Sequence, residues 1–521
     1  MRTTNRLHSG FTRRKFLGAM GAVAASAAVG FPQPGTRRFV LREDRFGRMF
    51  PKLAPFAEPG PGLEAALLEM GKAGGILDAR DALDRGPIDL ILDPALSAGN
   101  PNSSSHTAGI TFVGQFLDHD LTFDLASRLG EPAEPADSPN ARTPALDLDS
   151  VYGGGPVADP ELYERAGRGR GGFPTKLRIQ SGGLFEDVPR NSDGTAIIAD
   201  PRNDENLMIA GLQTAFIRFH NRAVDLVTES GARLTPQEVF RRARRLTTWH
   251  YQWIVVHEVL PLFVGQDLVD EIQAGGRQFY RSPVAQIPVE FQGAAYRFGH
   301  SMVRPSYRAN LAGDEGRPFF GMIFDPSQEG VVDPGDLRGG ARASRRFIGW
   351  QTFFDFGDGE VRPNKAIDTK LSTPLFNLPL GTVPGQSGPT SLAQRNLLRH
   401  VTWQLPSGQS IARHMGVPAL SAADLAELAP FGQGLDESTP LWYYVLKEAE
   451  VMEAGQRLGP VGGRIVGEVF LGLLKLDRNS YLSAGRRWRP TLPTRGGQVT
   501  GEFRMVDFLA FAGVDPGSRG Q

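Results

Sequence analysis

From Ile110 to Leu121 the chain spaces apolar residues three and four apart, at Ile110, Val113, Leu117 and Leu121, which predicts a helix with one buried stripe. Gln115, Asp118 and His119 fall together on another face, so an amide, a carboxylate and an imidazole are neighbours. Asp120 breaks the pattern. Its angular position brings it close to the apolar stripe, where an unpaired carboxylate is costly to bury, and a fold that keeps this helix in its core must give that residue a cation.

The same periodicity recurs down the chain. Met208, Leu212, Ala215, Phe216, Phe219, Ala223 and Leu226 share one face of a long helix entered through Asp200-Pro201-Arg202-Asn203-Asp204-Glu205. On local grounds Arg202 and Glu205 are either charges at a helix start, where Glu205 complements the dipole, or members of a site. A second helix is predicted from Pro236 to Leu260, with His250, His257 and Trp253 on one strip that we assign a structural role. Tyr296 to Pro305 places His300 inside a helix that Pro305 ends or kinks; a lone histidine there is either a core residue with a satisfied ring or a metal ligand. Arg395-Asn396-Leu397-Leu398-Arg399 belongs to a further helix, followed by a loop over Gln404 to Gln409, and helices alternate with Gly/Pro breaks through Val461 to Leu482 and Phe503 to Ala512. The expected fold is mainly α with little β. With no internal repeat, no transmembrane span and no long linker, residues 35–521 are expected to form a single domain.

Composition narrows the chemistry. Glycine (63) and proline (39) make up about a fifth of the chain, below the roughly 25–30% of low-complexity sequences, so a globular protein with many loops is expected. Lys plus Arg and Asp plus Glu both number 57, which removes any bulk electrostatic argument for a nucleic-acid partner. The absence of cysteine excludes disulfides, cysteine zinc sites, iron–sulfur clusters and thiolate-ligated haem, leaving histidine or oxygen to hold any metal. Thr143-Pro144-Ala145-Leu146-Asp147-Leu148-Asp149 sets oxygen-bearing groups at alternate positions. Taken alone this is the pattern of a half-solvated strand or turn; the stray Asp120 points instead to calcium, which takes about 6–8 oxygens. Gly167-Arg168-Gly169-Arg170-Gly171-Gly172 matches the spacing of a nucleotide loop, but no strand precedes it and Phe173-Pro174 follows, so it is expected to be a basic loop.

Residues 1–34 have the form of a targeting segment: Thr12-Arg13-Arg14-Lys15-Phe16-Leu17 followed by a small, apolar run from Gly18 to Gly30. The arginine pair resembles a twin-arginine export signal, which implies a periplasmic or extracellular protein that acquires its cofactor before crossing the membrane. The run is too short and too rich in Ala and Gly for a membrane span. The alternative is an uncleaved amphipathic or disordered N-terminus.

Taken in order, Gly114 to Asp120, Thr143 to Gly153, Arg202 to Glu205, Arg297 to His300 and Asn396 to Arg399 resemble the animal-type haem peroxidases of the peroxidase–cyclooxygenase superfamily, in a bacterial form. Leu441-Trp442-Tyr443-Tyr444 and Gly462 to Glu468 are similar to bacterial members, and the resemblance covers most of residues 40 to 515. It implies a multi-helix fold with haem b buried between core helices. It also implies His119 as the distal histidine with Gln115 lining the cavity, Arg202 as the distal arginine and His300 as the proximal iron ligand. Asn396 is then the acceptor for the proximal imidazole and Arg399 the partner of a haem propionate. Asp118 and Glu205 match residues that form ester bonds to haem in animal members, so one or two such bonds are open to this chain. Thr143, Ala145 (through its carbonyl), Asp147 and Asp149 resemble the calcium loop, closed by Asp120.

The implied function is reduction of hydrogen peroxide through a ferryl intermediate, with oxidation of small organic donors or halides, in a response to oxidative stress. That chemistry needs a neutral imidazole to take and return a proton, expected of His119, and a fixed guanidinium to stabilise charge on the departing oxygen, expected of Arg202. A neutral Asn396 donates less electron density through His300 than a carboxylate would, which keeps the oxidised iron strongly oxidising. Three departures stand out. Asn206 occupies the position of a methionine that makes a third haem bond in myeloperoxidase, so that link is absent; Asp149 replaces a serine common in animal members; and Arg297 stands where the cyclooxygenase branch has its radical tyrosine, with Tyr296 one residue earlier. Two other readings stand beside it, a haem-dependent fatty-acid dioxygenase and a non-catalytic secreted calcium-binding protein on the same fold. The intact set of His119, Arg202, His300 and Asn396 argues against the second.

Overall fold

Ile110, Val113, Leu117 and Leu121 are all buried on one helix, α1 (Ala108–Leu121). The protein is represented by a computed structural model that describes residues 44–165, 172–379, 382, 388–484 and 488–521. The expected export segment 1–34 lies outside these residues, as does most of the basic loop 167–172.

Helix α1 follows directly on the strand Asn102–Thr107, which pairs antiparallel with Pro363–Lys365. It ends where Thr122 turns extended. Helix α2 (Leu207–Glu229) starts where the Asn206 side chain accepts the Ile209 N–H at 3.0 Å. Helix α3 (Pro236–Ile254) starts with Pro236 in its first turn and a reciprocal capping box between Thr235 and Glu238. Helices α4 (Leu392–Thr402), α5 (Leu441–Glu453), α6 (Pro460–Leu476) and α7 (Met505–Ala512) complete the main set. Strand content is small: among the described residues there are three two-stranded sheets, the longest being the hairpin of Ser306–Asp314 with Arg317–Met322. No helix among the described residues is long and apolar enough to cross a membrane.

Aromatic rings set how α1, α2 and α7 pack. Phe116 of α1 stacks on Phe216 of α2 at 4.4 Å and 6°, and Phe219 of α2 stacks on Phe508 of α7 at 4.5 Å and 9°. Such pairs contribute about 0.5–1.5 kcal/mol each beyond the area they bury. They fix α1 against α2, and therefore Gln115 and His119 against the segment that carries Arg202.

Three local expectations are corrected. Leu226 is 44% exposed, because the last turns of α2 run out past the core that buries Met208 through Ala223. The helix predicted over Pro236 to Leu260 is α-helical only to Ile254 and widens into a π turn at Val255–Val259, ahead of a short helix Leu260–Val264. Pro261 explains the change, since it lacks the N–H that would bond to the His257 carbonyl. His300 does not lie inside a long helix ended by Pro305: it is the last residue of a 3-10 helix, Ala295–His300, closed by Ser301 N–H on the Phe298 carbonyl at 3.1 Å. Of the two shapes open to the alternating Asp/Leu stretch, strand or turn, the structure has the turn. It turns at Leu148, in the left-handed region with φ of 60°, into the short helix Asp149–Tyr152.

Candidate active site

A cavity of about 1490 Å³ of empty space, including its mouth, opens beside α1 and is lined by Gln115, Asp118 and His119 from that helix. Arg202 and Glu205 reach it from the 3-10 helix Pro201–Asp204 and its cap, His300 from Ala295–His300, and Arg399 from α4. Residues separated by up to 284 positions thus share one cavity. Asn396 is fully buried behind His300.

His119 is 4% exposed, and its Nδ1 lies 2.8 Å from Asn203 Oδ1. Asn203 is held in turn, donating from Nδ2 to Gln213 Oε1 of α2 at 2.8 Å. An amide oxygen can only accept, so Nδ1 carries the imidazole proton and Nε2 keeps its lone pair. Burial and then the Arg202 charge lower His119 to about 4, so the ring is neutral at pH 7. Neither Asn203 nor Gln213 was singled out from the sequence. The available signal was a buried amide at Gln213 in the middle of an apolar helix, which needs a partner.

Arg202 is pinned by its own backbone neighbourhood. Its Nε and Nη2 donate to Asp200 at 3.0 and 2.8 Å, and Nη2 also donates to the Thr122 and His119 carbonyls at 2.7 and 3.2 Å. A guanidinium on the last carbonyls of α1 also complements the helix dipole there. The remaining nitrogen, Nη1, is the one nearest Asp118, 3.8 Å from Oδ2. Burial opposes ionisation of Asp200, but Arg202 and Arg142 outweigh it and hold the carboxyl at about 2. Asp200, which sequence reasoning passed over, is therefore the fixed counter-charge of Arg202.

Gln115 joins the two sides of the distal wall, donating to Glu205 Oε2 at 3.3 Å and accepting from Asn206 Nδ2 at 3.2 Å. Burial pushes Glu205 up to about 8 despite the nearby Arg202. Asp118 accepts the Thr122 hydroxyl at 3.1 Å.

On the other side, burial and then the Arg297 and Arg399 charges lower His300 to about 3. Its Nδ1 lies 2.8 Å from the amide nitrogen of Asn396, whose oxygen accepts Arg297 Nη1 at 3.2 Å. Here the amide oxygen is taken by Arg297 and the amide nitrogen faces Nδ1, an orientation that would leave the ring proton on Nε2; the expected acceptor role of Asn396, which frees Nε2 for a metal, requires a half-turn of the amide away from Arg297. Arg399 pairs with Asp124 at 3.1 Å at the cavity edge. Gly299, beside His300, has open space where a Cβ would stand.

Asp120, fully buried, accepts from Leu148 N–H at 3.2 Å, the Ser150 hydroxyl at 3.0 Å and the Tyr251 hydroxyl at 3.1 Å. Asp120, Asp147 and Asp149 each present a ligand oxygen within 4.8 Å of the others. Thr143 donates its hydroxyl to Asp147 at 2.7 Å and its N–H to Asp149 at 2.9 Å, and Ala145 is buried in the same turn. Burial and the neighbouring acids raise Asp120, and burial pushes Asp149 up to about 7 even with Arg142 3.6 Å away.

The chain matches the family model described as animal haem peroxidase over residues 126–327, a span that contains Arg202, Glu205 and His300. The human probable oxidoreductase PXDNL is 29% identical over 229 residues, covering 39% of this chain and 16% of that protein. Among solved structures, peroxidase A from Dictyostelium discoideum aligns with a TM-score of 0.56 at 19% identity, over 73% of this chain and 81% of that one. The fatty acid alpha-dioxygenase of Arabidopsis thaliana aligns with a TM-score of 0.51 at 16% identity, over 73% and 67%. The chain spans less than half the length of the curated relatives it matches. The mainly helical fold, the match of residues 126–327 to the animal haem peroxidase model and these relatives agree with the order of motifs along the sequence and support its likeness to the animal-type haem peroxidases.

Proposed function

We propose that this protein is a haem peroxidase, folded as one catalytic domain over 35–521 and exported by its twin-arginine-type segment, that reduces hydrogen peroxide at the expense of small organic donors or halides. The observation that carries this reading is the pair of neutral imidazoles lining one cavity, the buried His119 with Nδ1 tied to Asn203 and the part-buried His300 with Nδ1 against Asn396. The cavity residues suit a haem b. Phe263, Phe298, Ile323 and Leu375 offer apolar surface to a flat macrocycle, Gly299 keeps clear of it, and Arg297, Arg395 and Arg399 offer charge to its propionates.

His300 would hold the haem iron, which would supply the electrons for cleavage of the peroxide O–O bond. The chain supplies the proton traffic. His119 Nε2 takes the proton from one peroxide oxygen and returns it to the other, with Asn203 and Gln213 fixing the tautomer throughout. Arg202, held by Asp200 and two carbonyls, presents Nη1 to the oxygen on which charge builds. Gln115 bridges Glu205 and Asn206 and shapes the cavity above His119. Asp118 and Glu205 are the carboxyls available for ester bonds to the haem. Calcium at Asp120, Asp147 and Asp149, with the Thr143 hydroxyl and the Ala145 carbonyl, would clamp the residue next to His119.

The reading is tested by a Soret band in the purified protein together with peroxide-dependent oxidation of guaiacol; a haem-replete sample without that activity overturns it. Tyr296 argues against the dioxygenase alternative. Its hydroxyl donates to the Gly114 carbonyl at 3.1 Å, and a carbonyl cannot take up the proton that a tyrosine radical must lose. Oxygen uptake with an unsaturated fatty acid would restore that alternative.

Two further outcomes follow from the His119 geometry. The base is the neutral form, so the rate of reaction with peroxide should hold above its folded value of about 4 and fall as pH drops through it by one proton; a stopped-flow rate flat down to pH 3 would contradict the assignment. Asn203→Ala removes one buried hydrogen bond of roughly 1.4 kcal/mol, and the same rate should drop about tenfold.

A further inference from the structure

The strip of α3 to which spacing alone assigns a structural role is part of a larger cluster. Arg245, Trp249, Trp253 and His257 recur every four residues, and the π turn carries His257 onto Trp253, with ring centroids 3.7 Å apart at 24°. Trp488 closes the group, 5.3 Å from Trp249, 6.0 Å from Trp253 and 5.6 Å from Tyr481. Three of the six tryptophans in the chain therefore meet a tyrosine at one place, and they are the side chains most readily oxidised by one electron.

Packing accounts for the burial of these rings but leaves two features unexplained. The Tyr481 hydroxyl lies 3.2 Å from His257 Nε2; desolvation of the part of the ring packed into the cluster, then the Arg489 charge, lowers that otherwise exposed imidazole to about 4, so it is neutral at pH 7 and can accept the phenolic proton. The indole N–H of Trp253, which is 3% exposed, has no hydrogen-bond partner among the described residues. The cluster also reaches solvent: Trp249 and Trp488 are half-buried and His257 is exposed. Arg245 lies over Trp249 and Arg489 over Trp253, each at 5.2 Å, with Arg489 also paired to Glu502.

A continuous run of rings leads from the cluster to helix α1, one residue short of the cavity lining. His250 is 5.4 Å from Trp488, Phe219 is 6.3 Å from His250, and Phe508 is 4.5 Å from both Phe219 and Phe216. Phe216 stacks on Phe116, the chain neighbour of Gln115.

We propose that Tyr481, His257, Trp253, Trp249 and Trp488 form a second oxidation site, at which anionic aromatic donors too large for the cavity give up single electrons. The proposal rests on the peroxidase reading, which supplies the oxidant: hydrogen peroxide, acting through the haem. Tyr481 passes one electron along the rings to the peroxide-oxidised haem and its phenolic proton to His257 Nε2. A donor phenol at Trp249 and Trp488 returns an electron, His257 returns the proton to Tyr481, and the donor loses its own proton to water. Two such turns, with two protons, complete the reduction of one peroxide to two waters. Arg245 and Arg489 favour a donor that carries negative charge.

The test uses the haem-loaded full chain. Mixed with one equivalent of hydrogen peroxide and frozen without donor, it should show a protein radical by electron paramagnetic resonance that Tyr481→Phe combined with Trp488→Phe removes, at unchanged haem content. Trp249→Phe with Trp488→Phe should slow oxidation of a sulfonated azo dye at least tenfold and leave guaiacol oxidation within twofold. A radical that survives the substitutions, a Soret response to peroxide with no radical, or dye and guaiacol rates that fall together would overturn the proposal alone. A Soret band that does not respond to peroxide would overturn the peroxidase reading, and this one with it.

Discussion

His119→Ala should slow the reaction with hydrogen peroxide by about 10²–10⁴-fold, the range a positioned general acid–base contributes, while the protein keeps its haem. The size of the effect follows from how completely the structure commits that ring. Nδ1 is occupied by Asn203, the ring is buried and neutral, and Arg202 Nη2 binds the carbonyl of the same residue, so backbone and side chain are both fixed. Alanine leaves the helix in place, because the α1 stripe of Ile110, Val113, Leu117 and Leu121 does not involve residue 119. Asn203 and Arg202 would then face a cavity with no base between them. Stopped-flow absorbance at the Soret band measures the step directly. A variant that reacts at the parent rate would show that His119 carries no proton in the reaction.

How far such a site could be read in advance depends on the range of the interactions. The α1 stripe was legible because it is local, three- and four-residue spacing on one helix, and Asp120 was legible because a buried carboxylate is costly wherever it occurs. Asp147 and Asp149 do come together with Asp120, but through a left-handed Leu148 and a short helix that an alternating Asp/Leu pattern does not specify. The contact of Asn203 with His119 joins residues 84 positions apart and depends on how α2 packs on α1, so no local pattern contains it. His300 was placed in the cavity from its motif, yet its helix type was not, because α and 3-10 turns share sequence preferences and the choice is settled by the Ser301–Phe298 bond. His257 shows the converse. Its spacing from Trp253 was plain, but the π turn that stacks the two rings, and the distant Tyr481 that approaches Nε2, belong to the tertiary structure.

The second large effect is expected at His300. His300→Ala should reduce haem retained through purification more than tenfold, because it removes the one imidazole on the Ala295–His300 wall and nothing nearby replaces it. Asn396 and Arg297 are amide and guanidinium, the first a weak ligand and the second a cation, and His400 is fully buried with its Nε2 accepting the Trp442 N–H at 2.9 Å. The substitution should be tolerated by the fold: burial holds His300 at about 3, so the protein gives up a neutral ring rather than a paired charge, and Trp442 still holds the segment through the Arg297 carbonyl at 3.2 Å. Added imidazole should then restore the Soret band in proportion to its concentration, which a variant that had merely misfolded would not do. Retained haem also stabilises the folded state by mass action, so the melting temperature of His300→Ala should fall to that of the haem-free parent and rise again with imidazole and haem together. A variant that keeps its haem with an unchanged spectrum would place the iron ligand elsewhere in the cavity and remove His300 from the mechanism.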